Sequence, residues 1–303
     1  MDTISHALEN IRSAMPAIIY RLDEPMKDHT SFRIGGAVRV MYFPRTPGEF
    51  AELYGLAREF DIRIIIIGNG TNMLVNDSIP GTVVIKTTGL DTIARSGDYD
   101  IKAGAGVSLT QLSEYACKNG LTGLEFAYGI PGSAGGAVSM NAGAYGSEMK
   151  DVISSTDAYS PEKGMISITG EQHGFIYRGS RFSDSGDIVL SSALRLEIGD
   201  EKSIKAKMKE LSARRRETQP LDIPSAGSTF KRPADGYAAA LIEQSGLKGY
   251  TVGGAQVSEK HAGFIVNRGG AAFSDVMRLI GHVQETVYKQ FGVELEPEVK
   301  IVK

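Results

Sequence analysis

Two glycine-rich turns, Gly68-Asn69-Gly70-Thr71-Asn72 and Gly129-Ile130-Pro131-Gly132-Ser133-Ala134-Gly135-Gly136, carry the clearest chemical signal in this chain. Glycine there removes the side chain that would hold a ligand away from the backbone, so amide N–H groups can approach phosphate oxygens. Asn and Thr in the first turn add local donors. The second turn runs on through Ala137-Val138-Ser139-Met140-Asn141-Ala142-Gly143-Ala144-Tyr145-Gly146. That stretch is too poor in bulky side chains to build a core, but a large flat ligand could lie against its bare backbone. Either turn alone is as readily an ordinary loop. The pair, with the first straight after a strand, favours a cofactor of dinucleotide size. Three further segments hold reactive residue types: Ser228 between glycine and threonine, Arg178 flanked by Tyr177 and Gly179, and Glu298 on a terminal strand interrupted by Pro297. Taken alone, each suits an ordinary role better: Ser228 a helix cap, Arg178 a surface ion pair, Glu298 an edge-strand charge. Ser228 is not in a Gly-x-Ser-x-Gly elbow, and no Ser-His-Asp order is evident.

The elements around these residues follow from periodicity. Val38–Phe43 predicts a strand, and Thr46-Pro47-Gly48-Glu49 supplies an N-cap, a first-turn proline and a capping glutamate. Phe50, Leu53, Tyr54, Ala57 and Phe60 then mark one helical face before the β-branched strand Ile62–Ile67. This β-α-β unit leads into the first glycine turn. From Val83 to about Leu196 short strands alternate with turns, interrupted by a helix over 108–119 that opens on a Ser108/Gln111 capping box and closes at Gly120. A basic helix covers 202–217, and an amphipathic helix from Ser274 to Phe291 turns Val276, Leu279, Ile280, Val283, Val287 and Phe291 inward. The resulting organisation is a small α+β lobe over 1–82, a mixed lobe over 83–200 and an α+β domain over 201–303, with the cofactor expected between the first two lobes.

Composition narrows the class. The 303 residues, 42% of them apolar, suffice for two or three domains. A net charge of −3 with both signs interspersed gives no electrostatic case for nucleic acid. No apolar run approaches the ~18 residues of a membrane span. The N-terminus lacks the basic start and apolar core of a secretion signal, and instead reads as an amphipathic helix carrying Ile4, Leu8 and Ile11. Cys117, the single cysteine, precludes an intrachain disulfide and suits a cytoplasmic protein; in its helix it reads as a buried structural thiol. The five histidines show no metal-ligand spacing, so no metal is expected.

The ordered set Thr30-Ser31-Phe32-Arg33-Ile34-Gly35-Gly36, Gly68–Leu74, Gly129–Gly136, Asn141–Gly146, Tyr177-Arg178, Gly227–Lys231 and Glu296–Val299 closely resembles the UDP-N-acetylenolpyruvoylglucosamine reductases, flavoenzymes of bacterial peptidoglycan precursor synthesis. The resemblance runs from about Asp28 to the C-terminus. It implies an α+β chain: a two-lobed vanillyl-alcohol-oxidase-type FAD domain followed by a C-terminal α+β substrate domain, whose last strand returns to the active site. It implies noncovalent FAD, with Gly68, Asn69, Gly70, Thr71, Asn72, Gly129, Pro131, Gly132, Ser133, Gly135, Gly136, Asn141, Gly143 and Ala144 lining its site. NADPH would reduce the flavin and then give way to the enolpyruvyl ether of UDP-N-acetylglucosamine. By the same resemblance Ser228 is the proton donor, Arg178 holds the enolpyruvyl carboxylate, and Glu298 helps polarise that group. Arg214 and Lys231, with Arg215, are candidates for the UDP pyrophosphate or the NADPH phosphates, although a solvated helix face accounts for the arginines equally well. No tyrosine-bearing insertion lies between Arg178 and Ser228, which marks the shorter form of the family. The chain is expected to act as a monomer. An oxidase on the same fold often tethers its flavin through histidine or cysteine near the first turn, and none lies between Ile62 and Gly89. A noncatalytic flavin-binding regulator would be expected to lose the serine, arginine or glutamate.

Overall fold

The structure is a computed structural model that describes residues 3–303, arranged as two compact units. Residues up to 24, with 39–69 and 81–213, form the first; 25–38, 70–80 and 214–303 form the second.

In the first unit, helix α1 (Thr3–Ala14) buries Ala7, Leu8 and Ile11. Helix α2 (Pro47–Arg58) starts as its sequence predicts: the Thr46 hydroxyl accepts the Glu49 amide at 3.1 Å and Pro47 opens the first turn. Strands Ala37–Tyr42 and Arg63–Ile67 both pair parallel with Thr82–Lys86, with Tyr20–Pro25 at the far edge of this four-stranded sheet. A five-stranded antiparallel sheet follows, in the order Gly164–Thr169, Ile153–Ser160, Ile188–Arg195, Asp100–Gly104, Ile93–Arg95. Helix α3 (Leu109–Lys118) carries the capping box, with Ser108 Oγ accepting the Gln111 amide and Gln111 Oε1 accepting the Ser108 amide, both at 3.2 Å. Such a cap contributes about 1 kcal/mol. Cys117 is buried in α3, and burial raises its thiol pKa, so it is a poor nucleophile. The six-residue helix α4 (Ala134–Ser139) grows directly out of the second glycine turn. Helix α5 (Glu201–Thr218) then carries the chain into the second unit at Arg214.

The second unit is built on a four-stranded antiparallel sheet in the order Ser225–Ser228, Phe264–Asn267, Ala255–Val257, Thr251–Val252, with helices α6 (Ala238–Gln244) and α7 (Phe273–Phe291). Val276, Leu279, Ile280, Val283 and Val287 of α7 are buried at helical spacing, and Gly292 ends the helix at φ +68°. The helix thus begins one residue earlier than expected, and Phe291, expected to face inward, is exposed at its end. Its start is set by Asp275, whose Oδ2 accepts the Ala272 amide at 3.1 Å and the Gly254 amide at 3.2 Å.

The lobe boundaries read from the sequence are drawn differently here. Residues 25–38 and 70–80 leave the expected first lobe because their apolar side chains complete the C-terminal core: Phe32, Ile34 and Leu74 are buried with Ala226, Ile242, Val276 and Val283. Strand Met73–Val75 pairs parallel with Lys300–Val302. The expected first and second lobes otherwise share one core, running from Leu8 and Phe50 through Leu112 to Leu194. Among the described residues no helix is long and apolar enough to cross a membrane.

Candidate active site

Strand Arg63–Ile67 delivers Gly68 to a point where a side chain would not fit: a Cβ on Gly68 would lie 2.2 Å from Ser133 Oγ. Ser133 is 2% exposed, and its hydroxyl has no hydrogen-bond partner within the protein. A buried, unpaired hydroxyl costs about 1–3 kcal/mol of desolvation, which a fold tolerates where a ligand completes the bond. Gly136, one turn into α4, is exposed, and a Cβ there would meet nothing nearer than Ser133 Oγ at 3.5 Å. Gly68, Ser133 and Gly136 therefore form one side-chain-free cradle around a single donor, as a phosphate-bearing cofactor requires. Gly132 is half-buried beside them, its carbonyl accepting the Leu109 amide at 3.1 Å. Gly129 takes φ +78° at the turn's entry, and Pro131 is exposed.

Several other predicted cofactor residues make contacts within the protein. Gly135 lets α4 close on Ala105, where a Cβ would lie 2.7 Å from the Ala105 Cβ. Gly143 and Ala144 form a tight hairpin with Ser147 and Glu148. Gly70, at φ +64°, packs against the His29 carbonyl in the second unit. Asn69 and Thr71 are half-buried in the same turn. The Asn72 side chain is committed to protein: its Nδ2 donates to the Glu298 carbonyl at 3.2 Å, while the Asn72 carbonyl accepts the Lys300 amide at 3.0 Å. Asn141 departs furthest from expectation. It is fully buried at φ +42°, donates from Nδ2 to the Ile176 carbonyl at 3.0 Å and accepts the Lys150 amide on Oδ1 at 2.9 Å. Both polar atoms of its side chain are thus bonded to the protein.

Arg178 occupies a two-residue turn closed by Ile176 and Gly179, which exchange both backbone hydrogen bonds. Its φ of +55° is a conformation that costs a non-glycine residue about 1–2 kcal/mol. Such strain persists where neighbours over-determine it, and it concentrates at functional sites. The guanidinium lies 5.0 Å from the Tyr177 ring centroid, and its Nη2 donates to the Gly143 carbonyl at 3.3 Å. The Ser180 and Ser183 hydroxyls both donate to the Ser139 carbonyl, at 2.8 and 2.9 Å, tying the loop to the end of α4. Neither serine stood out in the sequence. Their partner lies 41 and 44 positions away, a separation with no periodic signature.

In the second unit, Ser228 ends strand Ser225–Ser228, paired with Phe264 across a register shift, with Gly227 at φ +76° just before it. Glu298 is not within a strand, as the sequence suggested, because the terminal strand starts only at Lys300. Instead it follows a bridge between Phe230 and Pro297: the Glu298 amide donates to the Thr229 carbonyl and the Lys231 amide to the Glu296 carbonyl, each at 2.8 Å. This short ladder brings the Ser228 and Glu298 segments to adjacent backbone positions, both residues half-buried. The same ladder sets Lys231 against Glu296, with Nζ to Oε1 at 2.5 Å. Of the helix arginines, Arg214 is exposed and Arg215 is buried. Among the described residues, no cluster of three or more metal-ligating side chains occurs.

Comparison with known proteins bears on this arrangement. An FAD binding domain family matches residues 38–192, and the UDP-N-acetylenolpyruvoylglucosamine reductase C-terminal domain matches 219–302. The UDP-N-acetylenolpyruvoylglucosamine reductase of Caldanaerobacter subterraneus subsp. tengcongensis is 49% identical, aligned over 93% of each chain. The chain belongs to the UDP-N-acetylenolpyruvoylglucosamine reductase family. The reductase of Agathobacter rectalis is 46% identical over 97% of this chain and 98% of its own. The crystal structure of the Thermus caldophilus reductase superposes with a TM-score of 0.79 at 32% identity, covering 94% of this chain and 99% of that one. As a member of this reductase family the chain is an FAD-dependent oxidoreductase with a vanillyl-alcohol-oxidase-type FAD domain and a C-terminal α+β domain. The Gly68–Ser133–Gly136 cradle, with its unpartnered hydroxyl, fits that cofactor.

Proposed function

We propose that this reductase converts the enolpyruvyl ether of UDP-N-acetylglucosamine to the lactyl ether, UDP-N-acetylmuramate, in peptidoglycan precursor synthesis, using NADPH. Bound noncovalently, FAD would supply the two-electron hydride chemistry that links NADPH to the terminal vinyl carbon of the substrate. Gly68, Ser133 and Gly136 would hold it, with the Ser133 hydroxyl free to donate to it. Arg178 binds the enolpyruvyl carboxylate, since a planar guanidinium fork matches a carboxylate in two parallel hydrogen bonds. The same guanidinium stabilises charge that spreads onto the carboxylate as the double bond is reduced. Glu298 helps to polarise the same group. Ser228 gives its hydroxyl proton to the carbon adjacent to the reduced one. A hydroxyl is a weak acid, so this transfer demands a strongly basic enolate-like carbon and close positioning. Arg214 and Lys231 contribute to binding the diphosphate, with Lys231 released from Glu296.

The observation that supports this reading is the Phe230–Pro297 bridge, which ties the proposed acid and the proposed polarising carboxylate to one backbone ladder. The buried single cysteine suits the proposed cytoplasmic setting. The test is spectroscopic. Purified protein should be yellow with acid-releasable flavin, bleach anaerobically with NADPH, and regain its absorbance on addition of the enolpyruvyl substrate. Reoxidation by oxygen but not by that substrate would instead identify an oxidase.

A further inference from the structure

Asn141, the first residue of the Asn141–Gly146 segment, makes two well-formed side-chain hydrogen bonds to the protein at full burial. Its Nδ2 reaches 35 positions along the chain to the carbonyl of Ile176, the residue that opens the Arg178 turn. Ile176 itself is 67% exposed, so its own side chain cannot anchor the turn. Two residues beyond Asn141, the Gly143 carbonyl accepts from Arg178 Nη2. One short segment therefore holds both ends of the arginine: the backbone from which it springs and the guanidinium at its tip. The left-handed φ of Asn141 is one that asparagine tolerates better than most residues, so the position selects for both the backbone conformation and the amide.

We propose that Asn141 is a positioning residue for Arg178: its side-chain amide fixes the Ile176–Gly179 turn, and so the approach of the guanidinium to the substrate carboxylate, without touching the cofactor. This rests on Arg178 being the carboxylate clamp. Asn141→Asp tests it with nearly the same shape. The carboxylate still accepts the Lys150 amide but meets the Ile176 carbonyl with an acceptor in place of a donor. Asn141→Gly, which takes φ +42° without strain, removes both bonds and serves if the buried charge of the aspartate prevents folding.

Three measurements on the flavin-loaded protein follow. Flavin content and the rate of flavin reduction by NADPH should match wild type in both variants, whereas a cofactor contact would lower occupancy. Hydrogen exchange at the Gly179 amide should accelerate at least tenfold, because the turn loses its outside anchor. Flavin reoxidation by the enolpyruvyl substrate should slow about 10- to 100-fold, the loss expected for displacement of a positioned group by about 1 Å. In an Arg178→Ala background the Asn141 substitution should add almost nothing to that loss. Unchanged Gly179 exchange, reduced flavin occupancy, or a full additional loss in the Arg178→Ala background would each overturn the positioning role. If Arg178→Ala itself leaves reoxidation intact, the clamp reading fails instead, and Gly179 exchange still decides whether Asn141 holds the turn.

Discussion

Replacing Ser133 by alanine should change two quantities in opposite directions. In the apoprotein the Ser133 hydroxyl is buried at 2% exposure with no partner in the protein, so its removal relieves an unsatisfied group. That relief is about 1–3 kcal/mol, reduced by the small void left behind, and a net gain of about 1 kcal/mol is expected. For a unit of this size it corresponds to a rise in apoprotein melting temperature of about 2–4 °C. On the proposed reading the same hydroxyl donates to an ionised cofactor oxygen in the complex, a bond of about 1.5–3 kcal/mol, so the FAD Kd should rise about 10- to 150-fold. Gly68→Ala should weaken FAD binding by a related route, because its Cβ would lie 2.2 Å from Ser133 Oγ and force that hydroxyl to another rotamer. The assay is to strip the flavin with acid, measure apoprotein melting by differential scanning fluorimetry, and titrate FAD by the quenching of its fluorescence. An apoprotein destabilised by Ser133→Ala, with FAD affinity unchanged, would show that the hydroxyl is part of the scaffold and that the cradle has been misassigned.

Ser228→Ala should leave flavin reduction by NADPH near wild type and stall reoxidation by the enolpyruvyl substrate, as followed by stopped-flow absorbance; equal slowing of both half-reactions would make the serine structural. Arg178→Lys should slow reoxidation on the order of 10²–10³-fold, since lysine keeps the charge but loses the planar fork. In a double-mutant cycle with Glu298→Gln the two losses should be markedly non-additive, and simple additivity would dismiss a shared substrate group. Burial holds the His173 imidazole below its usual pKa, and burial does the same for His261. The unfolded chain therefore takes up these protons first: stability is fully present above about pH 6.5 and falls as pH drops from there through the lower folded values. In His173→Gln the urea midpoint should fall less between pH 7.5 and 5 than in wild type; an undiminished fall would assign the acid sensitivity elsewhere.

Much of this protein was legible one segment at a time. The Ser108/Gln111 box, the Thr46-Pro47 start, the α7 stripe ending at Gly292 and the strand before Gly68 all arise from neighbours within a few residues, where hydrogen-bond reach and helical or strand periodicity leave a local pattern. The ordered motifs also sufficed to name the family. What the chain did not disclose locally is where side chains are spent. Asn72 and Asn141 read as ligand residues from their glycine-rich settings, yet the fold commits the first to the Glu298 carbonyl, 226 positions away, and the second to the Arg178 turn. Residues 25–38 and 70–80 lie inside an apparently N-terminal lobe, but Phe32, Ile34 and Leu74 find their apolar partners in the C-terminal core. Ser133 reads the same in sequence whether its hydroxyl is satisfied or not; only the packing of Gly68 and α4 around it leaves the bond open. Hydrogen bonds and burial between distant segments depend on how the chain closes on itself, and that closure has no period to read.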